Sequence, residues 1–353
     1  MQRIFALGMA AAACAACGAE PESLQSERDS VTTYAVTWDG PQDQFHSSFA
    51  PSNAPYGGFG GGNCTATRTP VVFLPGNGDD AKNWDFPPST GGASVYETFR
   101  NAGYSDCELF SLNYLSAEER AEGVDAYHTP ARATLIADFI NDVKAYTGSS
   151  QVDIVSHSLG VTMGLEALRQ NGLYSSTRRF ISIAAGMRGL ASCYYVGYSN
   201  PLSPVCGSAN WFNSSVFGFY PNSWFAPNPR MANGGFRDDP RNASNTRFYS
   251  IRAGYHDQVA CTTSTYYYGC YRTAMFDSRS NVYAQLDVGD GSTAGQLDFD
   301  FSDWSPYALG AGDTDGVGHF RSKNNTGAIQ VQMLTSSCQG TACCNGYSGA
   351  CSN

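Results

Sequence analysis

One stretch of this chain combines residue types and spacing that suit nucleophilic chemistry. In residues 151–160 (QVDIVSHSLG) a β-branched run, 152–155, stops abruptly at Ser156-His157-Ser158-Leu159-Gly160, and a helix-compatible stretch, 161–169, follows at once. Strand, turn and helix in that order lift a serine hydroxyl above the end of a sheet. Small residues two before and two after let the neighbouring backbone close in. Ser158 is therefore the candidate nucleophile for attack on a carbonyl. The usual pentapeptide begins with glycine and this one begins with Ser156, so the five letters alone describe an ordinary turn equally well. A base, an orienting carboxylate and an oxyanion hole have to come from elsewhere.

A base for Ser158 must be an imidazole within reach of its Oγ, with a carboxylate on the far ring nitrogen to fix the tautomer. The chain has five histidines: His46, His128, His157, His256 and His319. His157 is adjacent in sequence, but successive side chains at an elbow diverge, so it is expected to pack or cap beneath the turn. His319, in a glycine-rich loop, is the expected base, and Asp257, at a strand end, the expected orienter. Asp238, Asp239, Asp277, Asp313 and Asp315 are rivals for the acid, and Asp315 is near enough to His319 to orient it locally. The order Ser158, Asp257, His319 is that of the α/β-hydrolase arrangement. The oxyanion would meet the backbone amide of Leu159 and, from the turn at residues 75–79 (PGNGD), that of Asn77.

The elements needed to hold these groups are legible in outline. Residues 69–74, 109–114, 152–155, 179–184 and 247–251 read as strands. Residues 94–102, 131–146, 161–169 and 326–334 read as helices, the second with Leu135, Ile136, Phe139, Ile140 and Val143 on one face. Alternation of the two predicts a mostly parallel sheet with helices on both faces and function at the carboxyl ends of its strands. Residues 57–62 (GGFGGG) are a flexible or tightly packed glycine run; no lysine-serine pair follows to make a phosphate loop. Residues 116–129 read as a polar interval, and 287–303 as a solvated acidic loop without calcium-loop spacing. Residues 186–238 interrupt the rhythm with an aromatic-rich insertion, readable as a small satellite core or as an aromatic platform beside the site.

Composition bounds the setting. Acidic residues outnumber basic ones 31 to 21, and the net charge of -10 argues against nucleic acid and anionic membrane surfaces as partners. Residues 1–19 read as a leader, too short to span a bilayer, ending either as a conventional signal peptide or as a lipoprotein signal with the anchor on Cys17. The remaining 20–353 form a single catalytic domain. Ten cysteines beyond the leader suit an oxidising compartment. Close spacing favours Cys193 with Cys206 and Cys261 with Cys270; Cys64 with Cys107 would tie a longer segment, and the last four would pair among themselves. No histidine or aspartate accompanies them at zinc spacing, so no metal site is expected.

Several longer strings resemble one family. Residues 56–69 (YGGFGGGNCTATRT), 75–79 (PGNGD), 151–160, 189–198 (GLASCYYVGY), 257–259 (DQV) and 317–323 (VGHFRSK) are similar to the secreted bacterial polyhydroxyalkanoate depolymerases, in particular the lipase-like branch that attacks native, amorphous polyhydroxybutyrate. The resemblance implies an α/β-hydrolase fold, Ser158 as nucleophile, Asp257 as acid, His319 as base and oxyanion amides at Asn77 and Leu159. It implies polymer contacts through exposed rings, matched here by Tyr194, Tyr195, Tyr198 and Tyr127, and no cofactor. Pro75 departs from it, standing where the family and many lipases have histidine before glycine, as does Ser156, which replaces Ala or Gly. The expectation is a secreted serine esterase acting on a hydrophobic polyester granule. A triacylglycerol lipase or general carboxylesterase is the near alternative, and a non-catalytic surface binding protein the distant one.

Overall fold

The computed structural model describes residues 44–53, 55–77, 79–86, 92–121, 130–187, 245–257, 273–289 and 318–353. The expected leader with Cys17, Tyr127, Tyr194, Tyr195, Tyr198, almost all of the 186–238 insertion, the Cys193–Cys206 and Cys261–Cys270 pairs, and Asp238, Asp239, Asp313 and Asp315 lie outside the described residues.

Seven strands among those residues form one sheet: β1 (Gly58–Phe59), β2 (Val71–Leu74), β3 (Leu109–Leu112), β4 (Val152–His157), β5 (Thr177–Ile183), β6 (Arg247–Arg252) and β7 (Val282–Asp287). Their order is β1-β3-β2-β4-β5-β6-β7, and every pairing is parallel except the antiparallel edge strand β1. Helices α1 (Val95–Asn101), α2 (Ala117–Ala121), α3 (Pro130–Thr147), α4 (Leu159–Gln170), α5 (Arg321–Asn324) and α6 (Gly327–Thr335) accompany it.

Successive strand residues point to opposite faces, so a strand covered on both sides must be apolar throughout. The β2 sequence VVFL meets that demand: Val72 and Leu74 pack with residues of α3 and α4 in one core, Val71 and Phe73 with residues of α1 and α6 in the other. Both cores are closed by buried rings, Phe110, Phe139 and Phe180 on one side, Trp84, Phe99 and Tyr249 on the other. The α1 helix starts on a capping box in which the Ser94 hydroxyl accepts from Glu97 N at 3.0 Å and the Glu97 carboxylate accepts from Ser94 N at 2.7 Å.

Topology then fixes where a site can form. The chain leaves β2 for β3 on one side, and returns through α3 to β4 on the other side of β2. The crevice therefore opens at the carboxyl ends of β2 and β4, with Leu74 paired in register with Ser156. The turn at Pro75 and the elbow at Ser158 leave the sheet side by side.

Disulfides join Cys64 to Cys107, as expected, and Cys338 to Cys343 and Cys344 to Cys351, so that the last four cysteines pair among themselves. The glycine run is tightly packed: a Cβ on Gly58 would lie 2.2 Å from the Ser111 carbonyl, and one on Gly60 2.2 Å from the Phe110 ring. Two elements differ from expectation. Residues 117–121 form α2 inside the interval read only as polar, anchored by the Glu119 carboxylate, which accepts from Ser116 N at 2.8 Å. The 287–303 stretch, read as a loop from its start, begins with the last residue of β7, an edge strand that buries only Ala284 and Leu286 and so lacks a strong apolar run.

Candidate active site

The elbow is sharp. Ser158 stands between β4 and α4 with φ 52° and ψ -123°, a conformation that costs a non-glycine residue strain and that suits a nucleophile pushed out of the chain path. Its amide donates to the Ile183 carbonyl at 2.8 Å, pinning the turn to β5. Glycine is required at residue 160: a Cβ there would stand 2.4 Å from the Pro75 carbonyl oxygen and 2.6 Å from that of Leu74. Helix α4 thus begins in direct backbone contact with the end of β2. Ser156 has no such constraint, because its buried hydroxyl donates to the Ile181 carbonyl at 2.8 Å.

His319 and Asp257 converge on Ser158 from different elements. Asp257 follows a short 3-10 turn (Gly254–His256) at the carboxyl end of β6, and His319 precedes α5. His319 Nε2 lies 2.9 Å from Ser158 Oγ, and its Nδ1 lies 2.9 Å from Asp257 Oδ1. A carboxylate can only accept a hydrogen bond, so Nδ1 carries the ring hydrogen and donates it to Asp257. The Nε2 lone pair then faces the Ser158 hydroxyl. Both partners are buried, at 4% and 1% exposure, while Ser158 is only half-buried, so the relay is shielded and the nucleophile reachable. Asp277, one of the rival acids, is turned toward Arg279 at 3.9 Å on a partly exposed stretch.

The two amides expected to meet an oxyanion lie where the two loops meet. Leu159 is the first residue of α4, and the first amides of a helix have no acceptor within it. Asn77 lies in the turn after β2, one residue beyond Gly76, whose added Cβ would approach both His157 Nδ1 and Ser158 Cβ at 3.0 Å. Pro75 keeps this turn in place through its carbonyl, which accepts from the Tyr114 hydroxyl at 2.9 Å; burial pushes that phenol far up, so it remains a donor.

His157 sits beneath the turn with no exposure, and its Nε2 is 2.9 Å from the His319 carbonyl. Burial first, then His319 and Lys323, hold its ring well below the usual histidine range. Neutral, it has one N–H, which it donates to that carbonyl. Sequence reasoning gave no role to Asp79 and Lys323, which form a buried ion pair at 2.7 Å directly under these groups. Both stood in strings that carried the resemblance, PGNGD and VGHFRSK, yet nothing in a linear sequence pairs residues 244 positions apart. Among the described residues no cluster of three or more His, Cys, Asp or Glu could hold a metal ion, and no helix is long and apolar enough to cross a membrane.

A relay from carboxylate to imidazole to serine at the end of a parallel sheet, with the serine on a strand–helix elbow, decides the architecture. The fold is that of the α/β-hydrolases. Residues 68–217, less than half of the chain, match the family model described as Lipase (class 2). No curated protein matches the sequence. Among solved structures, the α/β-hydrolase chain is similar to Aspergillus fumigatus lipase B, with 18% identity, a TM-score of 0.46 and coverage of 77% of this chain and 54% of that one. It is similar also to the Bacillus licheniformis lipase BlEst2 in its propeptide form, with 14% identity, a TM-score of 0.44 and coverage of 74% and 52%. For the mature form of that lipase the identity is 18%, the TM-score 0.42 and the coverage 79% and 98%. The chain therefore spans about half the length of the first two structures.

Proposed function

We propose that the protein is a serine hydrolase of carboxylic esters whose substrate is a short-chain polyhydroxyalkanoate, chiefly poly(3-hydroxybutyrate), and that it acts from outside the cell. The observation that carries the reading is the unbroken hydrogen-bonded line from Asp257 through His319 to Ser158. Ser158 Oγ attacks the ester carbonyl while His319 Nε2 takes its proton, and the resulting imidazolium is stabilised by Asp257. The oxyanion is met by the amides of Leu159 and Asn77; losing one such donor costs about 3 kcal/mol in comparable sites, more than a hundredfold in rate. His319 returns its proton to the departing hydroxyl end of the polymer, leaving a hydroxyacyl ester on Ser158. Water, deprotonated by the same imidazole, then releases a hydroxyacid or oligomer. No cofactor enters any step.

The polyester reading rests on the resemblance of residues 56–69, 189–198 and 317–323 to the depolymerases, with Tyr127, Tyr194, Tyr195 and Tyr198 as the polymer-facing rings. The match of residues 68–217 to a lipase model favours a second reading, hydrolysis of acylglycerols. Product release from amorphous polyhydroxybutyrate, crystalline polymer and tributyrin separates the two. Turnover of the amorphous polymer, weakened by replacing Tyr194 and Tyr195 more than hydrolysis of a soluble ester is weakened, supports the depolymerase. Tributyrin turnover alone favours the lipase. A serine-directed phosphonate that fails to label Ser158, with activity unchanged in Ser158→Ala, would overturn the Ser158 mechanism that both readings share.

A further inference from the structure

Three side chains that no step of acyl transfer uses lie under the site and touch each of its parts. Asp79 belongs to the turn after β2 that carries Asn77. Lys323 belongs to α5, just beyond His319, and His157 is the last residue of β4, immediately before Ser158. Lys323 Nζ donates to Asp79 Oδ2 at 2.7 Å, both side chains being 2% exposed, and stands 5.2 Å over the Trp84 ring. The other oxygen of Asp79 accepts from Asn83 Nδ2 and from Asp80 N, the latter at 3.1 Å. The Lys323 carbonyl accepts from Gln330 Nε2 at 2.8 Å, tying α5 to α6. His157 Nε2 is 2.9 Å from the His319 carbonyl, and Nδ1 is 3.9 Å from Asp79 Oδ2.

Apolar residues would fill this volume without the desolvation that an ammonium and a carboxylate incur, so a buried pair of this kind is weak evidence of stability. It does fix geometry. Asp79 and Lys323 lie on the two segments that flank Ser158 and that share no strand pairing at this point. We propose that Asp79, Lys323 and His157 are positioning residues that set the catalytic base and the oxyanion turn against the nucleophile. The Asp79–Lys323 pair locks the β2 turn to the His319 segment, and His157 carries the N–H that holds the His319 backbone. This inference rests on the serine hydrolase reading.

The pair also has an electrostatic task. The charged and titratable groups facing His157 are Asp79 from the β2 turn, and Lys323 and His319 from the segment before and within α5, with Asp257 beyond His319. Lys323 engages Asp79 at 2.7 Å, against 3.9 Å from Asp79 to His157, so the carboxylate does not draw a proton onto Nδ1. Were it to do so, a second cation would stand with its ring centroid 4.8 Å from that of His319 and oppose the imidazolium that forms there.

The experiment uses the full chain as wild type, Lys323→Met, Asp79→Asn and the double variant, hydrolysing p-nitrophenyl butyrate across the pH range. Lys323→Met is expected to lower kcat about 10- to 100-fold, with KM within about twofold, and to displace the acidic limb of the kcat profile. The double variant, which leaves no lone buried charge, is expected to regain about tenfold over Lys323→Met. A Lys323→Met enzyme with wild-type kcat and pH profile overturns the proposal, as does a double variant no more active than either single one. Nitrogen-15 spectra of the wild-type histidines decide the matter even where the variants fail to fold. The His157 signals should report a proton on Nε2 alone at neutral pH, and a proton on Nδ1 there overturns the proposal. If wild type hydrolyses no ester and Ser158 is not labelled, the hydrolase reading fails, while those spectra still test the network.

Discussion

His157 should make the protein lose stability in mild acid by an amount that its replacement removes. The ring has no exposure in the fold, and burial, reinforced by His319 and Lys323, keeps it neutral well below the usual range. In the unfolded chain it titrates at about 6.5. Below that pH the unfolded state binds a proton that the folded state refuses, so unfolding becomes easier as pH falls, by about 1.4 kcal/mol per unit until the folded pKa is reached. The stabilisation is present in full above the unfolded pKa and is lost as pH falls, by an amount that the unfolded pKa alone limits to about 2 kcal/mol between pH 7.5 and 5.0. His157→Gln keeps a donor for the His319 carbonyl and does not titrate. Urea unfolding followed by circular dichroism at both pH values, on both proteins, isolates the effect, because carboxylates common to the two cancel in the difference. The substitution should lower stability at pH 7.5 and do so by up to about 2 kcal/mol less at pH 5.0. A gap that stays constant within about 0.5 kcal/mol would refute the neutral, buried His157 on which this reasoning depends.

Three further outcomes follow from the same geometry. Asp257→Asn should cut kcat about 10⁴-fold, because the amide favours the wrong histidine tautomer; near-normal turnover there alongside an inactive Asp315→Asn would move the acid to Asp315. Gly160→Ala places a methyl 2.4 Å from the Pro75 carbonyl and 2.6 Å from that of Leu74, both backbone, so thermal and urea unfolding should register a loss of about 1–3 kcal/mol, with slower phosphonate labelling of Ser158. Wild-type stability would mean that α4 does not start against β2. Replacing Cys64 and Cys107 by serine opens a loop with a sequence separation of 43 and should cost about 4 kcal/mol, against about 2 kcal/mol for Cys338 and Cys343, separated by 5; equal losses by urea unfolding would show that chain entropy does not govern these bridges.

What could be read in advance divides along physical lines. The inner strands announced themselves because burial on both faces demands uninterrupted apolar runs, as in VVFL of β2 and FISI within β5. Strand β7 did not, since an edge strand with one well-covered face tolerates Gln285 and Asp287, and its alternation is masked by small Ala284. The candidate nucleophile was legible because strand, turn and helix are contiguous. Its partners were legible only as candidates, by residue type and order, and the distances came from the fold, which brings the carboxyl end of β6, one strand beyond β5, and the start of α5 to the carboxyl end of β4. Asp79 and Lys323 were invisible in their roles for a simpler reason: a charged residue reads as surface until its counter-ion is known, and the counter-ion was far away in sequence.

The two departures from the family pattern bear on which parts of the site are fixed by chemistry and which by packing. Ser156 occupies a position that usually needs a residue without a side chain, yet its hydroxyl is absorbed by the Ile181 carbonyl on the neighbouring strand, so the elbow retains its path. Pro75 brings neither the ring nor the donor of a histidine, but it leaves a carbonyl for Tyr114 and a close approach for Gly160. In both cases the substitution is accommodated by backbone groups of β5 or β2, away from the atoms that would handle protons. The positions that allow no such accommodation are Gly160, where a Cβ would meet backbone oxygens, and His319, whose two ring nitrogens are both committed. Variation at Ser156 and Pro75 should therefore leave the proposed acyl transfer intact, whereas variation at Gly160 or His319 should not be tolerated.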